Sequence, residues 1–147
     1  MAAVVAVVML GSCTHNNGDI GDWFGTWRVT SIEVDNQPVE NYGGGLFWMF
    51  QNDLICLSYT TEGMYHNYSR CWGRWAEEGN TLTFDFSYTS TEDEYKSYYE
   101  PQKESYFIDG VNRMTMTERK SNSMTLQMLR YNSDGSESVI VYKIHKQ

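Results

Sequence analysis

The sequence predicts an all-β domain built as an eight-stranded antiparallel up-and-down barrel. Three observations carry that expectation. From Trp27 onward apolar and polar residues alternate with period two in run after run, as half-buried strands do. Clusters of Gly, Asn, Asp, Ser and Pro separate most of these runs, so successive strands are joined by short turns and pair antiparallel. The two outermost runs, 27–35 and 138–145, are long and partly apolar. Pairing them with each other closes the meander and removes two edges that would otherwise recruit further strands.

The elements follow in chain order. Ala2 to Leu10 is an uncharged apolar stretch of nine residues, the length of a signal-peptide core and well short of the roughly 20 residues a spanning helix needs. It runs into Leu10-Gly11-Ser12-Cys13, which looks like a bacterial lipobox: an aliphatic residue, two small residues that enter the peptidase, and a thiol that accepts the lipid. Residues 1–12 are therefore expected to be a lipoprotein signal peptide and Cys13 the lipidated first residue of the mature chain. No Lys or Arg precedes the apolar run, so the native start is expected several residues upstream. Residues 13–22 are polar and Gly-containing, as a flexible tether is, and 23–147 form the barrel domain.

The first strand is expected over 27–35, ended by Asp35-Asn36-Gln37-Pro38. A long loop with Tyr42 and Gly43-Gly44-Gly45 leads to strands at 46–51 and 54–61, and a turn at Gly63-Met64 leads to 65–77. After Glu78-Gly79-Asn80, Leu82, Phe84, Phe86 and Tyr88 alternate with Thr81, Thr83, Asp85 and Ser87. Strands at 113–118, 124–128 and 138–145 follow Asp109-Gly110, Ser121-Asn122 and Ser133-Asp134-Gly135. Only 91–99 departs from the pattern. Thr91 and Glu94 have capping-box spacing, Tyr95, Tyr98 and Tyr99 share a helical face, and Pro101 stops the run. It reads either as a surface helix with its tyrosines docked on the sheet or as an aromatic lid over a mouth.

Cys56 and Cys71 lie symmetrically about Gly63-Met64, so a two-residue turn there sets them opposite each other. Counting outward, the pair falls in a hydrogen-bonded site, where side chains approach less closely. They are expected either as a disulfide, whose closed loop would add about 3 kcal/mol, or as two free, semi-buried thiols.

Gly25-Thr26-Trp27 after Asp22-Trp23-Phe24, then Leu46-Phe47-Trp48-Met49-Phe50-Gln51, Met114-Thr115-Met116, Met124-Thr125-Leu126 and Tyr142-Lys143, resembles the layout of lipocalins and of the lipocalin-like lipoproteins of Bacteroidetes, over about residues 23–145. The resemblance implies a lipocalin-like barrel with Trp27 packed at its closed end. The Thr-Asp-Tyr element and the C-terminal helix followed by a strand of the best-known lipocalins are not evident here, so their pocket is not carried over.

Composition narrows function. Nineteen acidic and eleven basic residues give a net charge of −8, which repels nucleic acid, and no basic cluster offsets it. Aromatics make up 15% of the chain, too many for a disordered one. His15, His66 and His145 are spread over tether, hairpin and C-terminus, so no metal site is expected. Glu77-Glu78 and Glu92-Asp93-Glu94 lack the alternating oxygen ligands of a calcium loop. No nucleophile, metalloprotease or phosphate-loop motif occurs, so neither an enzyme nor a cofactor is expected. What remains is a barrel interior rich in aromatic and Met side chains, which either fill it or line an apolar pocket. Trp48, Phe50, Tyr59, Tyr68, Arg70, Trp72, Phe84, Met114, Met128 and Tyr142 are the candidate ligand-binding residues. Arg70 shares a face with Tyr68 and Trp72 and, if that face is inward, needs an acidic partner or an anionic head group.

The expected protein is a monomeric lipoprotein of the bacterial cell envelope. It is held to the membrane by its N-terminal lipid, periplasm-facing or on the outer membrane, and binds a small apolar or amphipathic ligand non-covalently. The alternative is an interaction or carbohydrate-binding module that uses surface Tyr95, Tyr98, Tyr99 and Trp23 on a solid barrel. An accessory or inhibitor domain with recognition loops is a third possibility.

Overall fold

The alternating runs become strands of one antiparallel sheet that closes on itself. A computed structural model describes residues 21–61, 68–87 and 93–147 of the chain. The strands are β1 (Gly25–Val34), β2 (Gln37–Pro38), β3 (Leu46–Gln51), β4 (Leu54–Thr60), β5 (Tyr68–Glu78), β6 (Thr81–Asp85), β7 (Val111–Arg119), β8 (Ser123–Tyr131) and β9 (Glu137–Lys146). From β3 to β9 each strand pairs with its chain neighbour, β1 pairs with β3, and β1 also pairs with β9, closing the barrel. β2 is a two-residue extension that pairs only with Glu33 and Val34, so eight strands form the wall, as the sequence predicts.

Turn chemistry explains the meander. Asp35 and Asn36 both take positive φ (51° and 65°), the conformation of a tight hairpin turn that Asn and Asp tolerate. Gly73, inside β5, is needed for space and not for a turn. A Cβ there would meet a Phe86 ring carbon at 2.6 Å, so the missing side chain makes room for that ring. A bulge in β1 between Val29 and Ser31 shifts the alternation, so Trp27, Val29 and Ile32 all point inward. Inner-face residues of all eight wall strands form one core, joined by Trp23 from the 3-10 turn Gly21–Trp23 and by Phe107 from the long β6–β7 connection.

Three sequence expectations need correction. Cys56 pairs with Trp72 and Leu57 with Cys71, so the β4–β5 register is one residue away from the symmetric one. A one-residue slip turns the side chains of one strand to the other face. Cys71 therefore joins the core, while Cys56 lies on the outer face between Met49 and Trp72; both are free thiols. The segment 91–99 forms a surface 3-10 helix over Asp93–Tyr99 that lies against β5, as expected, but its Tyr95, Tyr98 and Tyr99 stay exposed there. Trp23, expected on the surface, is buried. The signal peptide, Cys13, His15, His66, the Gly63-Met64 turn, Tyr88 and Thr91 lie outside the described residues. So does the expected tether, except for Gly21 and Asp22 of the first 3-10 turn.

Candidate functional site

The barrel has two ends of different construction. At the closed end, Trp27 donates its indole N–H to the Trp23 carbonyl at 3.1 Å, and Trp23 donates its own to Glu77. Arg119 reaches Glu77, pairs with Asp22 at 3.7 Å and lies over the Trp23 ring, while Lys146 donates to the Asp22 carbonyl at 2.9 Å and covers Trp27. Rings and cations lock that end, and Trp27 sits where the family resemblance puts it.

The other end carries the β1–β3, β4–β5, β6–β7 and β8–β9 connections and forms the mouth. Here the inner face presents Trp48, Phe84, Met114, Met128 and Tyr142. Trp48, Phe84 and Tyr142 are met by Phe107 of the β6–β7 connection. A 3-10 turn, Lys103–Ser105, is followed by Tyr106 at φ 62°, and this left-handed step aims Phe107 down the barrel. Phe107 stacks on Tyr142 (centroids 5.2 Å, planes 23° apart) and meets Trp48 at 5.7 Å and Phe84 at 5.4 Å. The Tyr142 hydroxyl donates to the Ser105 carbonyl at 2.7 Å. Full burial holds the Tyr142 pKa well above the ordinary phenol value, so the group stays a donor. Gln102 Nε2 donates to the Leu57 carbonyl at 3.2 Å. Buried Asn112 clamps the far side: its Oδ1 accepts from Ile108 N at 2.9 Å and its Nδ2 donates to the Ile108 and Gly110 carbonyls.

Phe107 acts as a plug. Trp48, Leu57, Phe84, Met114 and Tyr142 have essentially no solvent-accessible surface, so no water-sized void borders them and the middle of the barrel is filled. The seat is polar-deficient, however. Trp48 Nε1 and Gln102 Oε1 are buried without a hydrogen-bond partner among the described residues, a state that costs about 1–3 kcal/mol for each group.

Of the sequence candidates, the inner face brings together Trp48, Phe50, Phe84, Met114, Met128 and Tyr142, with Tyr59 half-buried beside them. Tyr68, Arg70 and Trp72 do share a face, but it is the outer one, a consequence of the β4–β5 register. Arg70 is exposed, donates to the Tyr68 hydroxyl and sits over its ring at 4.8 Å, so it has no buried charge to neutralise. The residues missed are Gln102, Ser105 and Phe107. Phe107 stands in the sequence between Tyr106 and Ile108 with no alternation around it, and nothing local marks it as core. Among the described residues no three His, Cys, Asp or Glu side chains converge to hold a metal ion.

A closed eight-stranded barrel with an aromatic interior, sealed at one end by a Gly-x-Trp strand opening, defines a lipocalin-like β-barrel. The family model of the lipocalin-like domain matches residues 8–136, and the chain belongs to that family. Among solved structures it is similar to a lipocalin-like protein from Bacteroides uniformis, with 12% identity over 86% of this chain and 100% of that one and a TM-score of 0.56. It is also similar to an uncharacterized protein from Bacteroides eggerthii, with 15% identity over 85% and 99% of the two chains and a TM-score of 0.55. No curated protein matches the sequence.

Proposed function

We propose that this chain is an exported, lipid-anchored binding protein that takes up a small apolar or amphipathic molecule non-covalently at the mouth of its barrel, and that it does no covalent chemistry. One observation carries the reading. Phe107 packs from a loop onto Trp48, Phe84 and Tyr142, and Trp48 Nε1 in that seat has no partner among the described residues. A ligand with an apolar body and one acceptor atom replaces the ring and satisfies that donor, so exchange is favoured by the group the plug leaves unpaired. Because the plugged state binds nothing, the measured affinity is the intrinsic one reduced by the fraction of open protein.

The neutral fluorescent probe N-phenyl-1-naphthylamine tests this. It is expected to bind the wild type saturably and the Phe107→Ala variant at least about tenfold more tightly, because removing the plug removes the opening cost. No saturable binding to either protein overturns the reading. Export and anchoring rest on Leu10-Gly11-Ser12-Cys13: in a bacterial host the full chain is expected in the membrane fraction and Cys13→Ser in the soluble fraction. Membrane association of Cys13→Ser equal to that of the wild type removes the anchor from the proposal.

The exposed Tyr95 and Tyr98, ring centroids 6.3 Å apart, favour the second reading, an interaction surface outside the barrel. Loss of partner or glycan capture in Tyr95→Ser/Tyr98→Ser, with probe binding intact, would establish it.

A further inference from the structure

The barrel wall is not paired along its whole height. β7 and β8 are in register from Arg119↔Met124 to Thr115↔Gln127, apart from a bulge between Met116 and Glu118. Mouthward of Thr115↔Gln127 the two strands part. Residues 111–114 keep their partners on β6 and residues 128–131 keep theirs on β9, yet neither run has a partner in the other. A hollow of about 470 Å³ occupies the gap.

Its lining is chemically two-sided. Val111, Leu129 and Tyr131 on its outer walls are 40%, 49% and 71% exposed, and Met128, an inner-face residue, reaches it from the barrel side. Arg113, on the outer face of β7 with Val111, and Arg130, half-buried on the inner face of β8 with Met128, line the slit from its two sides, and neither enters an ion pair with any described residue. Asp85, which pairs with Val111 from β6, is already engaged: its carboxylate accepts from Ser87 N at 2.9 Å. In a chain of net charge −8, two guanidinium groups without an ion pair among the described residues, one on each side of a slit with exposed aliphatic walls, are an unusual concentration of positive charge. The guanidinium fork matches a planar carboxylate, and the aliphatic walls match an alkyl chain. A bare anion leaves the walls wet and a neutral oil leaves the arginines unused.

We propose that the slit between β7 and β8 is a binding site for a single-chain alkyl carboxylate, with Arg113 and Arg130 on the head group and Val111, Leu129 and Met128 along the chain. The site lies in the wall and does not depend on Phe107 leaving its seat, so it stands or falls apart from the mouth reading.

The test is a titration of the isotopically labelled protein with dodecanoate below its micelle concentration, followed by amide chemical shifts. Dodecyl maltoside, with the same chain and no charge, is the comparison. Saturable shifts centred on 111–115 and 127–131 are expected, with affinity at least about tenfold weaker for dodecyl maltoside, for Arg113→Gln/Arg130→Gln and in high salt. Arg113→Lys/Arg130→Lys is expected to recover part of the loss. Both arginines are at least partly exposed, so these variants keep the fold, and their spectra verify it. Equal affinity of the Gln double variant and the wild type overturns the proposal. So do shifts confined to Trp48, Phe107 and Tyr142, an outcome that leaves the mouth reading intact. Slit shifts in this titration together with no binding of the neutral naphthylamine probe overturn the mouth reading alone.

Discussion

Both ends of this barrel are stopped by aromatic rings, but in opposite ways. At the closed end Trp23 and Trp27 come from one short segment, both indole N–H groups are used, and Glu77, Arg119, Asp22 and Lys146 tie distant parts of the chain together. At the mouth Phe107 comes from a long connection, contributes no hydrogen bond through its side chain, and leaves Trp48 Nε1 and Gln102 Oε1 unpaired among the described residues. Hydrogen bonds and ion pairs therefore tie the rings of the closed end to distant strands, whereas the side chain of Phe107 is held by ring packing, and the proposed exchange at the mouth rests on that difference. Polar satisfaction is not the whole difference, since Trp75, whose ring lies 6.0 Å from that of Trp23 at the closed end, also buries an indole N–H without a partner among the described residues. What the closed end adds is the set of bonds that join its rings to distant strands.

Ring deletions at the two ends test this contrast most directly. Trp27→Ala is expected to cost the most, about 3–5 kcal/mol for loss of a fully buried ring, read from the urea midpoint. Phe107→Ala is expected at or below the low end of that range, about 3 kcal/mol, because the connection can resettle over the gap. If Phe107→Ala costs more than Trp27→Ala, the mouth is the hub and the contrast is inverted. Trp→Phe changes refine the point, since they remove similar volume at either end. Trp27→Phe also loses the bond to the Trp23 carbonyl, whereas Trp48→Phe deletes an unpaired donor, so Trp48→Phe should be milder by about 1 kcal/mol.

The smallest effect is at alkaline pH. Burial pushes the Cys56 thiol up to about 11 and the Cys71 thiol up to about 12, from an ordinary value of 9.0. Each group holds its proton longer folded than unfolded. Its contribution is complete below about pH 9 and is lost as pH rises towards 11 and 12. Tyr42, also pushed up to about 12 by burial, acts in the same direction. Stability should fall above about pH 9, and Cys56→Ala/Cys71→Ala should make the fall shallower. An unchanged slope in the double variant would show that the thiols do not contribute.

Much of this was legible from residue order. The strands at 46–51 and 81–85 follow from alternation, the turn at Asp35-Asn36 from residues that accept positive φ, and the place of Trp27 from the family resemblance that Gly25-Thr26-Trp27 carries. The inward set Trp48, Phe50, Phe84, Met114, Met128 and Tyr142 could be named before any coordinates because alternation defines a face. Alternation does not say which face is inside. Tyr68, Arg70 and Trp72 obey the same rule as Trp48 and Phe50 but lie on the outer side, since one residue of register between β4 and β5 decides it.

The all-β class and the strand order were dictated by residue order, since both depend on neighbours in the chain: period-two alternation and turn chemistry. The place of Trp27 at the closed end was what the family resemblance implied. It took the folded barrel to settle that Cys56 and Cys71 point apart, that Phe107 stops the mouth, and that β7 and β8 separate beyond Thr115↔Gln127. Those outcomes are set by contacts between segments far apart in the chain, where the competing arrangements differ by one residue of register or one buried ring. No local pattern distinguishes them.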